Sequence, residues 1–339
     1  MKQYVRSALV LAAASLIAGC KGIQSVLDVA GIHAGHIVFM WNTMVWVCGV
    51  MYVLVMLFLS GALIRARRIR AASEQTTGTT ASTAALAMTL RGWVVLVIVG
   101  LLGLTLTSYA VDGKLFLANQ DGLALEVTGQ QWWWNVKYQN DDDPSQSFQT
   151  ANEIHLPVNQ PVRIQLRSSD VIHSFWVPNL HGKQDLIPGR DNEIYLWPTK
   201  TGRYRGQCAE FCGAQHANMA LYVVVEPQEA FEHWRSQQLQ SAAAPSDNAA
   251  VQGQDLFMAS ACPLCHTIRG TDAGGVTGPD LTHLASRQSL AAGTLPYNRG
   301  NLAAWLSAPQ SIKPGNHMPR VDIEPAHFQA LVTYLDGLQ

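Results

Sequence analysis

Two stretches without a charged side chain, residues 37–64 and 92–111, limit what this chain can fold into more than any other feature. The first holds 28 residues, enough as a helix to cross a hydrocarbon core of about 30 Å. Arg65, Arg67, Arg68 and Arg70 follow it directly, and Arg91 stands just ahead of the second. Basic residues collect at the cytoplasmic ends of spans, so the pattern predicts a helical hairpin with a cytoplasmic loop and with everything after about Asp112 outside. Trp41, Trp46 and Trp93 read as interfacial or packing residues, Cys48 as a buried small apolar residue, and His33 and His36 as interfacial. With 48% hydrophobic residues, only 14% charged ones and a net charge of −1, the chain lacks the basic excess that a nucleic-acid partner requires.

Ahead of the hairpin, Lys2 and Arg6 precede an apolar run from Ala8 to Ala18, the shape of a secretory leader. It ends Ile17-Ala18-Gly19-Cys20. This resembles a bacterial lipoprotein box, which implies cleavage before Cys20 and acylation of its thiol.

Beyond Asp112, residues 123–127, 162–166 and 193–197 alternate apolar and polar between Pro, Gly and Asn clusters, and Leu221 to Val225 supplies a closing strand. That predicts an antiparallel sandwich of short strands. Its second half carries Cys208-Ala209-Glu210-Phe211-Cys212-Gly213-Ala214-Gln215-His216-Ala217-Asn218-Met219. Two thiols, an imidazole and a thioether at short intervals suit copper better than calcium or magnesium, whose ligands are oxygens. Zinc competes, although its structural sites usually close with four Cys or His ligands. A Cys208–Cys212 disulfide is the remaining reading.

The spacing Cys-x3-Cys-x3-His-x2-Met is similar to the binuclear CuA loop of cytochrome c oxidase subunit 2, and residues 173–190, from His173-Ser174-Phe175-Trp176 to Ile187-Pro188-Gly189-Arg190, also resemble that family. The resemblance implies a cupredoxin-like Greek-key barrel. In it Cys208 and Cys212 would bridge two coppers, His173 and His216 would each bind one, Met219 would cap one, and the Glu210 carbonyl would cap the other. It also gives the Glu210 carboxylate to a magnesium ion shared with the catalytic subunit. In Gln131-Trp132-Trp133-Trp134 three consecutive Trp cannot share one face of a strand, so at least one is expected on the surface or at an interface. By the same resemblance, Trp132 is the residue through which electrons enter. The acids Asp141, Asp142 and Asp143 nearby read as a solvated loop.

After an amphipathic stretch, Glu229 to Leu239, residues 241–250 read as a Ser/Ala/Pro linker. Cys262-Pro263-Leu264-Cys265-His266 then supplies the attachment motif of a c-type haem, two thiols for the vinyl groups and an adjacent imidazole for the iron. Gly278-Pro279-Asp280-Leu281 and Gly315-Asn316-His317-Met318-Pro319 resemble the proximal and distal loops of class I cytochromes c. The resemblance makes Met318 the sixth ligand, with His317 and His283 as competitors and Met258 in the core. A His/Met pair favours electron transfer over oxygen binding. Helical patterns at 252–261, 302–306 and 326–338 fit a small all-α domain.

The expected organisation is a leader (1–20), a transmembrane hairpin (21–111), an all-β copper domain (112–226), a linker (227–250) and a cytochrome c domain (251–339). Over nearly its whole length the chain resembles the bacterial oxidase subunit 2 with a fused cytochrome. That implies an electron-transfer subunit of a proton-translocating terminal oxidase in the cell membrane. Its expected partners are an oxygen-reducing subunit 1, a subunit 3, membrane lipid and a soluble or membrane-bound electron donor. One departure stands out: the family places a Glu just before its second span, whereas Ala87 to Trp93 contains no acid and Glu74 lies upstream. Arg91 there stays protonated, which speaks against proton uptake through this subunit. Two other readings stay open at this point, a tethered periplasmic electron carrier or copper-delivery protein without an oxidase partner, and a subunit of a nitrogen-oxide reductase.

Overall fold

A computed structural model of the chain describes residues 21–72, 83–116, 122–140, 142–321 and 323–339. The leader with Cys20, the loop acid Glu74 and Asp141 lie outside the described residues. Two long helices come first, α1 (Ile32–Ala72) and α2 (Thr83–Phe116). Each contains a segment long and apolar enough to cross a membrane, Ile32–Arg70 and Ala84–Gly113. Both helices run past the uncharged stretches, because the Arg-rich end of α1 keeps good helix formers and its charges can reach water. The hydroxyls of Thr43, Thr89, Thr105 and Thr107 donate to carbonyls one turn back, so none needs water inside an apolar medium. Trp93 meets Phe58 edge-on at 6.2 Å. Cys48 is exposed on α1 rather than buried.

The second compact unit contains residues 21–34 and the described residues from 122 onward. Ten strands form two five-stranded sheets. One runs in the order β3 (Phe148–Ala151), β2 (Trp133–Gln139), β1 (Leu123–Gln130), β5 (Val162–Ser168), β8 (Asn192–Leu196). The other runs β4 (Glu153–Pro157), β10 (Ala220–Glu226), β9 (Gly202–Cys208), β6 (His173–Trp176), β7 (Gln184–Leu186). Alternation puts Leu125, Trp134, Tyr138, Ile164, Phe175 and Val223 into a shared core, where a fully buried Leu-sized or Phe-sized side chain contributes about 1.5–3 kcal/mol. The expected antiparallel pattern is corrected in two places: β1 runs parallel to β5, and β10 parallel to β4. Strand alternation reports which face is buried and says nothing of direction, and the chain crosses between sheets before each of these pairings.

Residues 22–30 lie on this sandwich. The Arg205 amide donates to the Ile23 carbonyl at 2.7 Å, and the Asn179 amide group donates to the carbonyls of Gly22 and Asp28. His33 is buried, its ring 4.5 Å from that of His181, and so is packed within the fold rather than interfacial. The helix α3 (Gln228–Gln238) sets Phe231 and Trp234 on the sandwich. Trp234 stacks on His155 at 4.1 Å, which explains why β4 is buried on both faces. Residues 238–242 are not a free spacer. Ala242 N donates to Arg269 O at 2.9 Å, Arg269 reaches the carbonyls of Gln238 and Leu239, and His283 Nε2 bonds Gln240 O at 3.1 Å.

The C-terminal part is helical, with α4 (Asn248–Ala259), α5 (Arg299–Ser307), a short α6 (Pro309–Ile312) and α7 (Pro325–Asp336). Asp247 and Asn298 cap α4 and α5 through the amides of Ala250 and Asn301. The helices α4 and α7 cross closely: a Cβ at Gly253 would lie 2.1 Å from the Ala330 carbonyl, so only glycine fits there. A two-stranded ribbon, β11 (Ser289–Leu290) with β12 (Leu295–Pro296), precedes α5.

Candidate metal centres

The loop that leaves β9 returns to the same sheet as β10, so its donors are fixed at both ends. Cys208 N donates to Met219 O at 2.9 Å and Ala209 N to Ser174 O at 3.0 Å, pinning the loop to itself and to β6. Gly213 turns at φ +111°, where a side chain would be strained and would also press on Trp132. From β6, His173 enters the same space, and a Cβ at Gly129 would lie 2.8 Å from its ring. The sheet thus leaves a slot shaped for that imidazole.

The donor atoms converge. Cys208 Sγ lies 3.8 Å from Cys212 Sγ and 3.8 Å from His173 Nδ1. Cys212 Sγ lies 3.6 Å from His216 Nδ1 and 3.9 Å from Met219 Sδ, and the Glu210 carbonyl is 3.2 Å from Cys208 Sγ. A disulfide needs its sulfurs about 2.05 Å apart, so the two thiols are separate. His173, Cys208 and Cys212 are buried, with ligand atoms within 4.8 Å of one another, and His216 is half-buried. Soft sulfur and imidazole donors in this number fit copper. The Cys208 thiol is lowered by a hydrogen bond from Cys212 first and by His173 next, while Cys212 is raised, because the two thiols share one negative charge.

Asp170 escaped the sequence analysis. Its Oδ1 takes a proton-bearing contact from His173 Nε2 at 2.8 Å, which leaves His173 Nδ1 facing Cys208. Burial alone would raise the Asp170 carboxyl. Hydrogen bonds from His173 and from the amides of Gln131 and Val171 bring it below its ordinary range. A carboxylate three residues before the ligand, Asp170-x-x-His173, is the signal that was available. The Glu210 carboxylate pairs with Lys183 Nζ at 3.7 Å.

The haem motif sits at the end of α4. Cys262 is half-buried and Cys265 exposed, and a single 3-10 turn brings them together. His266 Nδ1 donates to the Pro279 carbonyl at 2.7 Å, leaving Nε2 as the basic nitrogen. A Cβ at Gly278 would lie 2.8 Å from this ring, a cradle suited to a fixed proximal imidazole. Both nitrogens of His283 are engaged, with Gln339 O and Gln240 O, which removes it as a competitor. Met318 packs against the haem-domain core, as does Met258. Its loop is tied by Gln310, whose amide donates to the carbonyls of Asn316 and Met318 at 2.7 and 2.9 Å. These residues fit a covalently held haem.

The aromatic triplet divides as its alternation requires. Trp134 is in the core, Trp133 half-buried, and Trp132 only 8% exposed with its indole N–H donating to Cys212 O at 2.9 Å. Trp132 is at an interface, as expected, but the cover comes from this chain's own C-terminal part, with His317 6.3 Å away ring to ring. Asp143 caps a 3-10 turn through Ser145 N. Lys313, also missed, is 2% exposed. Burial pulls its ammonium down to about 7 against the opposing pull of Cys212.

Fold and sites together define a membrane-attached chain with a cupredoxin-like thiolate domain followed by a c-type cytochrome domain. Residues 143–226 match the family described as cytochrome c oxidase subunit II, periplasmic domain, and residues 250–339 match cytochrome c. The cytochrome c oxidase subunit 2 of Alkalihalophilus pseudofirmus is 36% identical over 216 residues, 63% of this chain and 61% of that one. The protein of the same name from Bacillus subtilis is 32% identical over 231 residues, 65% of this chain and 63% of the relative. The crystal structure of the periplasmic domain of subunit II of cytochrome oxidase from Bradyrhizobium japonicum is 32% identical, covering 35% of this chain and 95% of that one, with a TM-score of 0.33. Two parts of the chain are thus similar to known families, residues 143–226 to the periplasmic domain of cytochrome c oxidase subunit II and residues 250–339 to cytochrome c. The chain spans a little under two thirds of the length of these curated relatives. The first domain implies CuA copper and the second haem.

Proposed function

We propose that this chain is the electron-transfer subunit of a terminal haem-copper oxidase. On this reading, residues 1–20 are a leader, 21–111 a membrane hairpin, 112–226 the copper domain, 227–250 the connection and 251–339 the haem domain. Cys20 is acylated, and the metal domains face the periplasm or the cell exterior. Cys208, Cys212, His173, His216, Met219 and the Glu210 carbonyl hold a binuclear copper. Cys262, Cys265, His266 and Met318 hold the haem. When bound, the two groups supply one-electron relay at potentials suited to a respiratory chain.

The polypeptide's part is to hold and to exclude. Asp170 fixes the His173 tautomer, the sheet holds both thiols, and the buried loop keeps water from the sulfurs, so little has to reorganise when charge arrives. Trp132, bonded to Cys212 O, connects the copper loop to the haem domain. An external donor supplies the haem, and a separate subunit 1, with subunit 3, completes the oxygen-reducing, proton-translocating complex. The Glu210 carboxylate, 45% exposed beside Lys183, is offered to a magnesium ion at the joint with subunit 1. No proton route through this chain is proposed, because Ala87 to Trp93 holds no acid.

The observation that carries the reading is the convergence of five soft side chains, each within 3.9 Å of another. Metal and haem analysis of the purified full chain, with EPR, tests it. About two coppers sharing one unpaired electron, together with a covalent haem, are expected. One zinc, or a Cys208–Cys212 disulfide without copper, would end it.

A further inference from the structure

Between the two metal loops stands a buried lysine that neither loop needs as a ligand. The Lys313 Nζ donates to Trp132 O at 2.7 Å, to Asn218 O at 2.7 Å and to Ala291 O at 3.0 Å. An ammonium has three N–H donors and no acceptor, so three carbonyls use it completely. Among the described residues it forms no ion pair with a carboxylate. Its acceptors come from both sides. Trp132 and Asn218 belong to the aromatic cluster and the copper loop, and Ala291 belongs to the turn between β11 and β12 of the haem domain. Lys313 itself begins the segment that leads to Met318.

The surroundings are shaped for the same contact. Gln215, in the copper loop, donates to Pro314 O at 2.7 Å. Ala220 N, directly after Met219, donates to Ala292 O at 3.0 Å. The turn that offers those carbonyls holds Ala291, Ala292 and Gly293 at φ +52°, +57° and +75°. Two consecutive alanines in the left-handed region persist only where the surroundings over-determine them, and here the sandwich does so. A Cβ at Gly315 would lie 3.8 Å from the Trp132 ring, so the loop's backbone rests against the indole. His317, next to Met318, faces Trp132, which in turn bonds the carbonyl of Cys212.

We propose that Lys313 is a positioning residue for the internal electron contact: its ammonium clamps the distal haem loop onto Trp132 and so closes that surface to any external donor. The inference rests on the proposed function for what passes across the contact, and on the geometry alone for the clamp. Donors must then deliver at another face of the haem domain. With both groups bound, the contact would carry one electron from the haem site to the copper site, with no atom or proton exchanged.

Lys313→Met keeps the stem and removes the donors, and Lys313→Arg returns them. In the loaded full chain, Lys313→Met is expected to leave the haem and copper spectra unchanged. It should raise amide exchange in residues 213–220, 289–294 and 313–318, and slow internal haem-to-copper transfer by about tenfold or more, the loss expected when charge-assisted hydrogen bonds no longer hold the docked population. Lys313→Arg should recover part of the rate. Unchanged exchange and rate in Lys313→Met would overturn the clamp. Should that variant fail to fold, acetylation of the wild-type chain decides: Lys313 is expected to react about tenfold or more slowly than Lys183 and Lys200, and equal reactivity would overturn the clamp. A wild-type chain without copper would end the proposed function, while exchange and acetylation would still judge the clamp.

Discussion

The copper loop and the haem-domain loops hold soft donors by different means. Between Cys208 and Met219 the donors lie in one short segment, and hydrogen bonds tie that segment to the neighbouring strands β6 and β10. The side chains already point at one another, and a partner such as Asp170 adjusts a ring that is in place. In the haem domain the donors are spread from Cys262 to Met318, and side-chain amides tie the backbone around them. Gln310 and Asn316 do this for the Met318 loop, and the Pro279 carbonyl does it for His266. A site built on a sheet tolerates loss of an outer partner better than loss of a donor. A site built from loops depends on every tie.

The largest effect that sharpens this contrast is Cys212→Ser. It removes the sulfur that meets Cys208, His216 and Met219, so metal analysis should find essentially no copper while the covalent haem remains. Copper retained at the wild-type level would show that the thiols are not the bridge. Next comes Met318→Leu, for which the haem should stay attached through its thioethers but lose its sixth ligand, with a lower potential in a redox titration and an unaltered copper EPR signal. Asp170→Asn should weaken copper binding by about 10- to 100-fold in a chelator competition; a result equal to Cys212→Ser would mean the sheet does not hold the ligands unaided.

The smallest effect concerns pH. His155 bonds Glu226 at 2.6 Å and Glu153 at 3.1 Å, and Glu153 also accepts from Gln288 N of the haem domain. Burial alone would lower the imidazole, but the two carboxylates outweigh it and the net shift is upward from 6.5. The folded chain therefore holds this proton where the unfolded chain has released it. The stabilisation is complete below pH 6.5 and is lost as pH rises through the raised native value. Melting curves of wild type and His155→Gln should converge as pH rises from 6.5; a constant gap would remove His155 from the account.

What could be read from the sequence follows the same division. Cys208, Cys212, His216 and Met219 sit within one loop, so their spacing marks a group of soft donors, and Cys262, Cys265 and His266 likewise form one local motif. His173 needed a resemblance, because a strand partner 35 residues away leaves no local pattern. The membrane helices were legible from missing charge, though their ends were not, since arginines can prolong a helix into water. Strand direction in the sandwich was hidden because alternation is the same either way. Lys313 and the cover over Trp132 were hidden for a deeper reason: a lysine that bonds three backbone carbonyls owes nothing to the identities of its partners, so no pattern of side chains marks it.

The strap formed by Arg269, Ala242 and Gln240 across residues 238–242 has a thermodynamic consequence. A slack tether lets each domain unfold by itself, giving two melting steps. Here the connection is bonded into the haem domain at one end and continues into α3 on the sandwich at the other, so neither half can open without breaking contacts of both. Heat should therefore take the water-exposed unit apart in one cooperative transition, with an enthalpy that belongs to the pair.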